Sequence, residues 1–215
     1  MADTQVEQVY RRLRQRIIDG AYRPSERLVE TDLAQSLEVS RISIRAALQR
    51  LHSEGLVTLE PHRGAKVTAI TVDEALQIME VREGLEGWAA ALAARRMSED
   101  ALADLERLIP TMEQLLKEGK PLEYSEMNAL LHQRIVEAAA NPRLRQLIDS
   151  LKTALVRYRF RTILVPGRSQ SSFQEHADIV AALRSRSPET AEAAMRRHIA
   201  GVSQTMIQAR PLMEL

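Results

Sequence analysis

The sequence predicts a mainly α protein: an N-terminal helix-turn-helix with a hairpin wing, followed by a C-terminal antiparallel six-helix bundle. Three observations support this. Aromatic residues make up 3% of the chain, and 8 glycines with 8 prolines are spread over 215 residues, too few turn-formers for a β-rich fold. Apolar residues recur at helical spacing along most of the chain, whereas alternating apolar and polar residues are confined to a short region near residues 56–70. Breaks at Ser98, Gly119-Lys120-Pro121, Asn141-Pro142, Pro166-Gly167 and Ser187-Pro188 divide residues 71–215 into six segments.

The chain contains no cysteine, which excludes a disulfide framework and a thiolate metal site and suits a reducing compartment. No apolar run reaches the roughly 18 residues of a membrane span, and no charged start precedes an apolar core, so a cytoplasmic protein without a membrane partner is expected. The net charge of +1 gives no global attraction to polyanions. Any nucleic-acid role therefore rests on local clustering, as in Arg41 to Lys66, where five basic residues face two acidic ones.

In the first helix Thr4 is a candidate cap, Val6, Val9, Leu13, Ile17 and Ile18 form the apolar stripe, and Gly20 is the stop. A loop containing Pro24 leads to a short second helix that starts at Leu28 or Val29 and turns Leu33, Ala34 and Leu37 inward. Ser40 caps a third helix whose buried stripe is Ile44, Ala47, Leu48 and Leu51, with Arg41, Arg45 and Gln49 on another face and Gly55 as the stop. Two short helices joined by a tight turn form a helix-turn-helix. Behind it, Leu56–Glu60 and Lys66–Ile70 read as two strands joined by Pro61, His62, Arg63 and Gly64. That tip is either a plain structural turn or, with a basic residue projecting from it, a wing.

PSERLVETDLA, VSRISIRAALQRLHSEGLV and PHRGAKV together resemble the winged helix-turn-helix of the GntR family of bacterial transcription regulators, over nearly all of residues 8–70. The resemblance implies contact with double-stranded operator DNA by Arg41 and Arg45, by the wing residues Arg63 and Gly64, and by Ser40 and Ser43 around the start of the reading helix. Thr31 stands where some members carry a further DNA-contacting arginine, and Ile42-Ser43 replaces a common Thr-Pro.

Thr71-Val72-Asp73-Glu74 has the form of a capping box and opens a new helical region. The expected division is therefore residues 1–70 for DNA binding and 71–215 for an all-helical effector-binding and dimerisation domain. Leu76, Met79, Leu85 and Leu92 are inward candidates on the first bundle helix. His132, His176 and His198 fall on the third, fifth and sixth helices, each beside apolar positions, and Asn128 lies one turn before His132. A lone histidine in such a place is usually a satisfied core residue. Three from three helices point to a site for a divalent metal, with Zn, Ni, Fe or Mn all compatible with neutral imidazoles.

An early E-V-R-x-x-L-E, an N-x-x-x-H pair, A-x-N-P, E-H and a final R-x-H resemble the effector-binding domain of the FadR subfamily, an FCD domain, and six helices place it with the VanR-like branch. The resemblance implies metal ligands Asn128, His132, His176 and His198, with Asn128 replacing the commoner aspartate. It also implies a small carboxylate effector beside the metal, with Arg82 lining the pocket; a salt bridge of Arg82 with Glu86 on the helix surface is the alternative. The expected function is a homodimeric, ligand-responsive transcription repressor. The alternatives are a metal-dependent enzyme built in the bundle, because three histidines and an open position also bind catalytic zinc, and a sensor of the metal itself.

Overall fold

The computed structural model describes residues 5–18, 21–60 and 64–214. The chain divides into two compact units, one containing residues 1–71 and the other residues 72–152 and 158–214.

The first unit consists of α1 (Gln5–Ile18), β1 (Arg27–Leu28), α2 (Glu30–Leu37), α3 (Arg41–Ser53), β2 (Val57–Glu60) and β3 (Gly64–Val67). Val9, Leu13 and Ile17 of α1 meet Leu33 and Leu37 of α2 and Ile44, Ala47, Leu48 and Leu51 of α3 in one core. Thr4 and Gly20, the expected boundaries of α1, lie outside the described residues, as do Pro61, His62 and Arg63. The turn between α2 and α3 is made by Glu38, whose left-handed backbone (φ 56°) lets its N–H return to the carbonyls of Ala34 and Gln35. Ser40 caps α3, its Oγ accepting the Ser43 N–H at 3.1 Å. At the other end Gly55 (φ 73°) donates to His52 and Leu56 donates to Leu51, the paired bonds of a Schellman stop, with Leu51 and Leu56 both buried in the same core.

The three strands are antiparallel in the order β1-β3-β2, with Leu28 opposite Ala65, Val57 opposite Val67 and Glu60 opposite Gly64. Two expectations need correction. Leu28 does not begin the second helix; it belongs to β1, where its buried side chain joins the core. The second wing strand runs from Gly64 to Val67, because its ladder begins directly opposite Glu60.

The second unit contains α4 (Val72–Arg96), α5 (Glu99–Lys117), α6 (Pro121–Ala138), most of α7 (Pro142–Ala154) and of α8 (Val156–Ile163), α9 (Arg168–Arg184), α10 (Pro188–Gln208) and α11 (Arg210–Glu214). Ser98 and Ser187 accept the N–H groups of Ala101 and Thr190 at 3.2 and 3.3 Å, capping α5 and α10. Asn141 Oδ1 accepts the Leu144 N–H in the same way, ahead of Pro142 in the first turn of α7. Of the inward candidates on α4, Met79 and Leu92 are buried and Leu76 and Leu85 half-buried. Six segments become eight helices among the described residues. The expected fourth helix is interrupted at Leu155, where no Pro or Gly signals a stop, and the short α11 follows α10. Along α4 the buried Gly87, Ala89, Ala90, Ala93 and Ala94 bring its backbone close to its neighbours, chiefly α10. This packing places α6, α9 and α10 around one buried point.

Candidate metal centre and nucleic-acid interface

His132 on α6, His176 on α9 and His198 on α10 converge at that point, all buried. Each presents Nε2 to the others: His132 Nε2 lies 3.2 Å from both His176 Nε2 and His198 Nε2. The opposite ring nitrogens are held from behind. His132 Nδ1 donates to Glu86 Oε2 at 2.6 Å, His198 Nδ1 donates to Glu175 Oε2 at 2.7 Å, and His176 Nδ1 is 3.3 Å from Ser172 Oγ, which in turn accepts from the Tyr124 hydroxyl at 3.2 Å.

These bonds fix the chemistry of the cluster. An ionised carboxylate only accepts, so Glu86 and Glu175 require Nδ1–H on His132 and His198. The Nε2 atoms of His132 and His198 then carry bare lone pairs aimed at each other, a repulsion that a cation between them, or an Nε2–H donated by His176, relieves. Tetrahedral zinc bound to imidazole at about 2.0–2.1 Å separates neighbouring nitrogens by about 3.3 Å, close to the spacing seen here. The residues present therefore fit a divalent metal, through donors oriented as histidine ligands usually are.

The electrostatics agree. Burial alone would raise the Glu86 carboxyl, but Arg82, Lys152 and His132 outweigh it and hold it well below the ordinary carboxylate range. Arg82 gives its Nε and Nη2 to Glu86 Oε1 at 2.8 and 2.6 Å, and Lys152 Nζ is 3.8 Å from Oε2. Glu175 is likewise lowered against burial by His198 and by a two-pronged bond from Arg168, both arms 2.7 Å. Burial pushes His132 down to about 4 and also lowers His176 and His198, so all three rings are neutral at physiological pH.

Glu86, Glu175 and Ser172 escape sequence reasoning as supports of the histidines. Glu175 adjoins His176 in sequence, yet successive helical residues face different directions, and it serves His198 on the neighbouring helix. The pairing of Arg82 with Glu86 is observed, but inside the bundle and not on its surface. Asn128 lies one turn before His132 on α6 and is half-buried.

In the first unit, Arg41, Arg45 and Gln49 are exposed along α3 and, with Arg27, Glu30 and Gly64, line an open groove of about 640 Å³. Thr31 borders the same groove. Arg45 forms a two-pronged bond with Glu30, at 2.9 and 2.7 Å. Ile42 is 80% exposed at the start of the helix. Ser40 is exposed but occupied as the helix cap. Ser43 is turned inward, 6% exposed, with its hydroxyl donating to Gln5 Oε1 at 2.7 Å, so it joins α1 to α3 and does not face the groove. Gly64 has φ 90°, and a Cβ there would lie 2.3 Å from the Leu28 carbonyl oxygen. Arg63 is outside the described residues.

Comparison with known proteins matches both units. Residues 5–67 match the bacterial regulatory proteins of the gntR family and residues 77–201 match the FCD domain. The chain is 26% identical over 204 residues to the HTH-type transcriptional repressor RspR of Escherichia coli, covering 95% of this chain and 90% of that protein. It is 27% identical over 192 residues to the HTH-type regulator YdhC of Bacillus subtilis, covering 89% and 86%. Among solved structures, E. coli McbR/YncC superposes with a TM-score of 0.69 at 23% identity, over 96% of this chain and 97% of that one, which supports the fold. These families and relatives are transcription regulators and not enzymes, so the enzyme alternative falls. The chain is a DNA-binding transcription regulator of the GntR family with a C-terminal FCD domain.

Proposed function

We propose that this protein is a cytoplasmic homodimeric repressor that releases a palindromic operator when a small carboxylate binds beside a divalent metal in its helical bundle. The observation that carries the reading is the convergence of three neutral imidazoles on one buried point, their outer nitrogens held by Glu86, Glu175 and Ser172. His132, His176 and His198 hold the metal and Asn128 adds a carbonyl oxygen. The bound metal supplies a positive centre that attracts a carboxylate. Arg82 lies at the edge of the same charge network, where an effector carboxylate competes with Glu86 for its guanidinium. Repression is supported by relatives named as repressors. A cytoplasmic site is in keeping with the family, and no helix among the described residues is long and apolar enough to cross a membrane.

Two winged helices related by a two-fold axis read two half-sites, with Arg41 and Arg45 in the major groove and Arg63 and Gly64 at the wing. Dimerisation is supported by α4, where exposed Val81 and Trp88 flank Gly84 on one face. A Cβ at Gly84 would meet nothing within 4 Å, so packing inside the chain does not explain a glycine in mid-helix. The effector acts by binding one of two arrangements of the dimer more tightly.

The test is a gel-shift titration on an operator selected from random-sequence DNA by the wild-type protein, run with and without small mono-, di- and hydroxycarboxylates on metal-loaded and chelated protein. Arg45→Ala is expected to weaken operator binding by about tenfold or more. A carboxylate is expected to shift the wild type only when metal is present. Release by metal alone, with every acid silent, would instead favour the metal-sensor reading.

A further inference from the structure

Arg45 is already held before DNA arrives. Its Nε donates to Glu30 Oε1 at 2.9 Å and its Nη2 to Oε2 at 2.7 Å, and Arg41 Nη2 stands 3.8 Å from the same Oε2. Glu30 is the first residue of α2, and its side chain is 17% exposed against 59% for Arg45, so the carboxylate sits deep in the groove with the guanidinium at its rim.

The stereochemistry of this pair decides what Arg45 can still do. A guanidinium carries five N–H donors. The contact with Glu30 uses Nε–H and one Nη2–H, the side-on edge. Both Nη1 hydrogens and the second Nη2 hydrogen remain, and this end-on edge can meet O6 and N7 of a guanine together. Attraction to phosphate works differently. It depends on unneutralised positive charge, is independent of sequence, and grows through counterion release. Glu30 therefore leaves the base-reading edge open while cancelling charge that would draw Arg41 and Arg45 to any stretch of backbone.

We infer that Glu30 is a positioning residue for sequence discrimination, which holds Arg45 end-on for a guanine and suppresses binding to non-operator DNA. This rests on the reading that Arg45 touches the operator. The Arg45 side of the pair is open to solvent, so the pair contributes little stability, and Glu30→Gln keeps the side-chain shape; the fold stays intact.

The test compares full-length wild type, Glu30→Gln and Arg45→Ala by fluorescence anisotropy on the selected operator duplex and on a scrambled duplex, across a range of salt concentrations. Glu30→Gln is expected to bind the scrambled duplex more tightly, to steepen its plot of log affinity against log salt by about one, and to lower the operator-to-scrambled ratio by about tenfold. Its melting temperature should match the wild type. A ratio and slope unchanged in Glu30→Gln, or an equal loss on both duplexes, would overturn the inference while Arg45→Ala still weakened operator binding by about tenfold or more. If Arg45→Ala left operator affinity unchanged, the DNA-contact reading itself would fail.

Discussion

Asn128 decides the charge of the proposed metal site. Three neutral histidines and a neutral amide give a ligand set with no negative charge, and the nearest carboxylates, Glu86 and Glu175, are engaged by Arg82 and Arg168. Asn128→Asp adds a charge, and even at an effective dielectric of about 20 that is enough to tighten metal binding by about tenfold. Competition with a chromogenic chelator measures it, and an unchanged affinity would remove Asn128 from the ligand set. The histidines themselves are legible in the sequence, because each lies at helical spacing from apolar neighbours that mark a buried face. Their supports are not. Glu86 bonds a residue 46 positions away and Glu175 one 23 positions away, and no local spacing encodes either contact.

At the scale of elements, α10 carries His198 and, one turn later, Gly201. A Cβ on Gly201 would come within 2.9 Å of Glu175 Oε1 and 3.5 Å of Arg168 Nη1, the pair that orients His198. Glycine to alanine inside a helix ordinarily stabilises by about 0.5–1 kcal/mol. Here the gain is offset by displacing Glu175, so Gly201→Ala is expected to leave the thermal midpoint unraised and to weaken metal binding several-fold; calorimetry and the chelator competition check the two halves. The helix-turn-helix and the hairpin could be read in advance because caps, stripes and stops are local signals. The strand β1 could not, since its two residues become a strand only by pairing with β3, far along the chain. The interruption at Leu155 was equally hidden, for the sequence there continues its helical pattern without a breaker residue.

For the whole molecule, burying three neutral histidines ties stability to pH. In the metal-free protein the folded-state value of His132 lies near 4 and its ordinary value is 6.5. Between those values the unfolded chain binds the proton and the folded chain does not, so stability is full above pH 6.5 and is lost as pH falls towards 4. The limiting slope is about 1.4 kcal/mol per pH unit for each such histidine. Urea titrations of chelated protein should therefore give a lower midpoint at pH 5 than at pH 7. Restoring zinc at pH 7 should raise the midpoint, by about 2.7 kcal/mol of stability at a hundredfold excess over the dissociation constant. A midpoint indifferent to chelator and to pH in this range would remove the metal from the account of the bundle.

Gly64 belongs both to the proposed DNA contact and to the sheet. The Leu28 carbonyl occupies the space that any side chain at Gly64 would need, and the backbone there is left-handed. Replacing it opens the link between β1 and β3 before any contact with a nucleotide is lost. Loss-of-function alleles recovered at this codon in a genetic selection would accordingly report the integrity of the wing, and the strength of its grip on DNA has to be read from its neighbours.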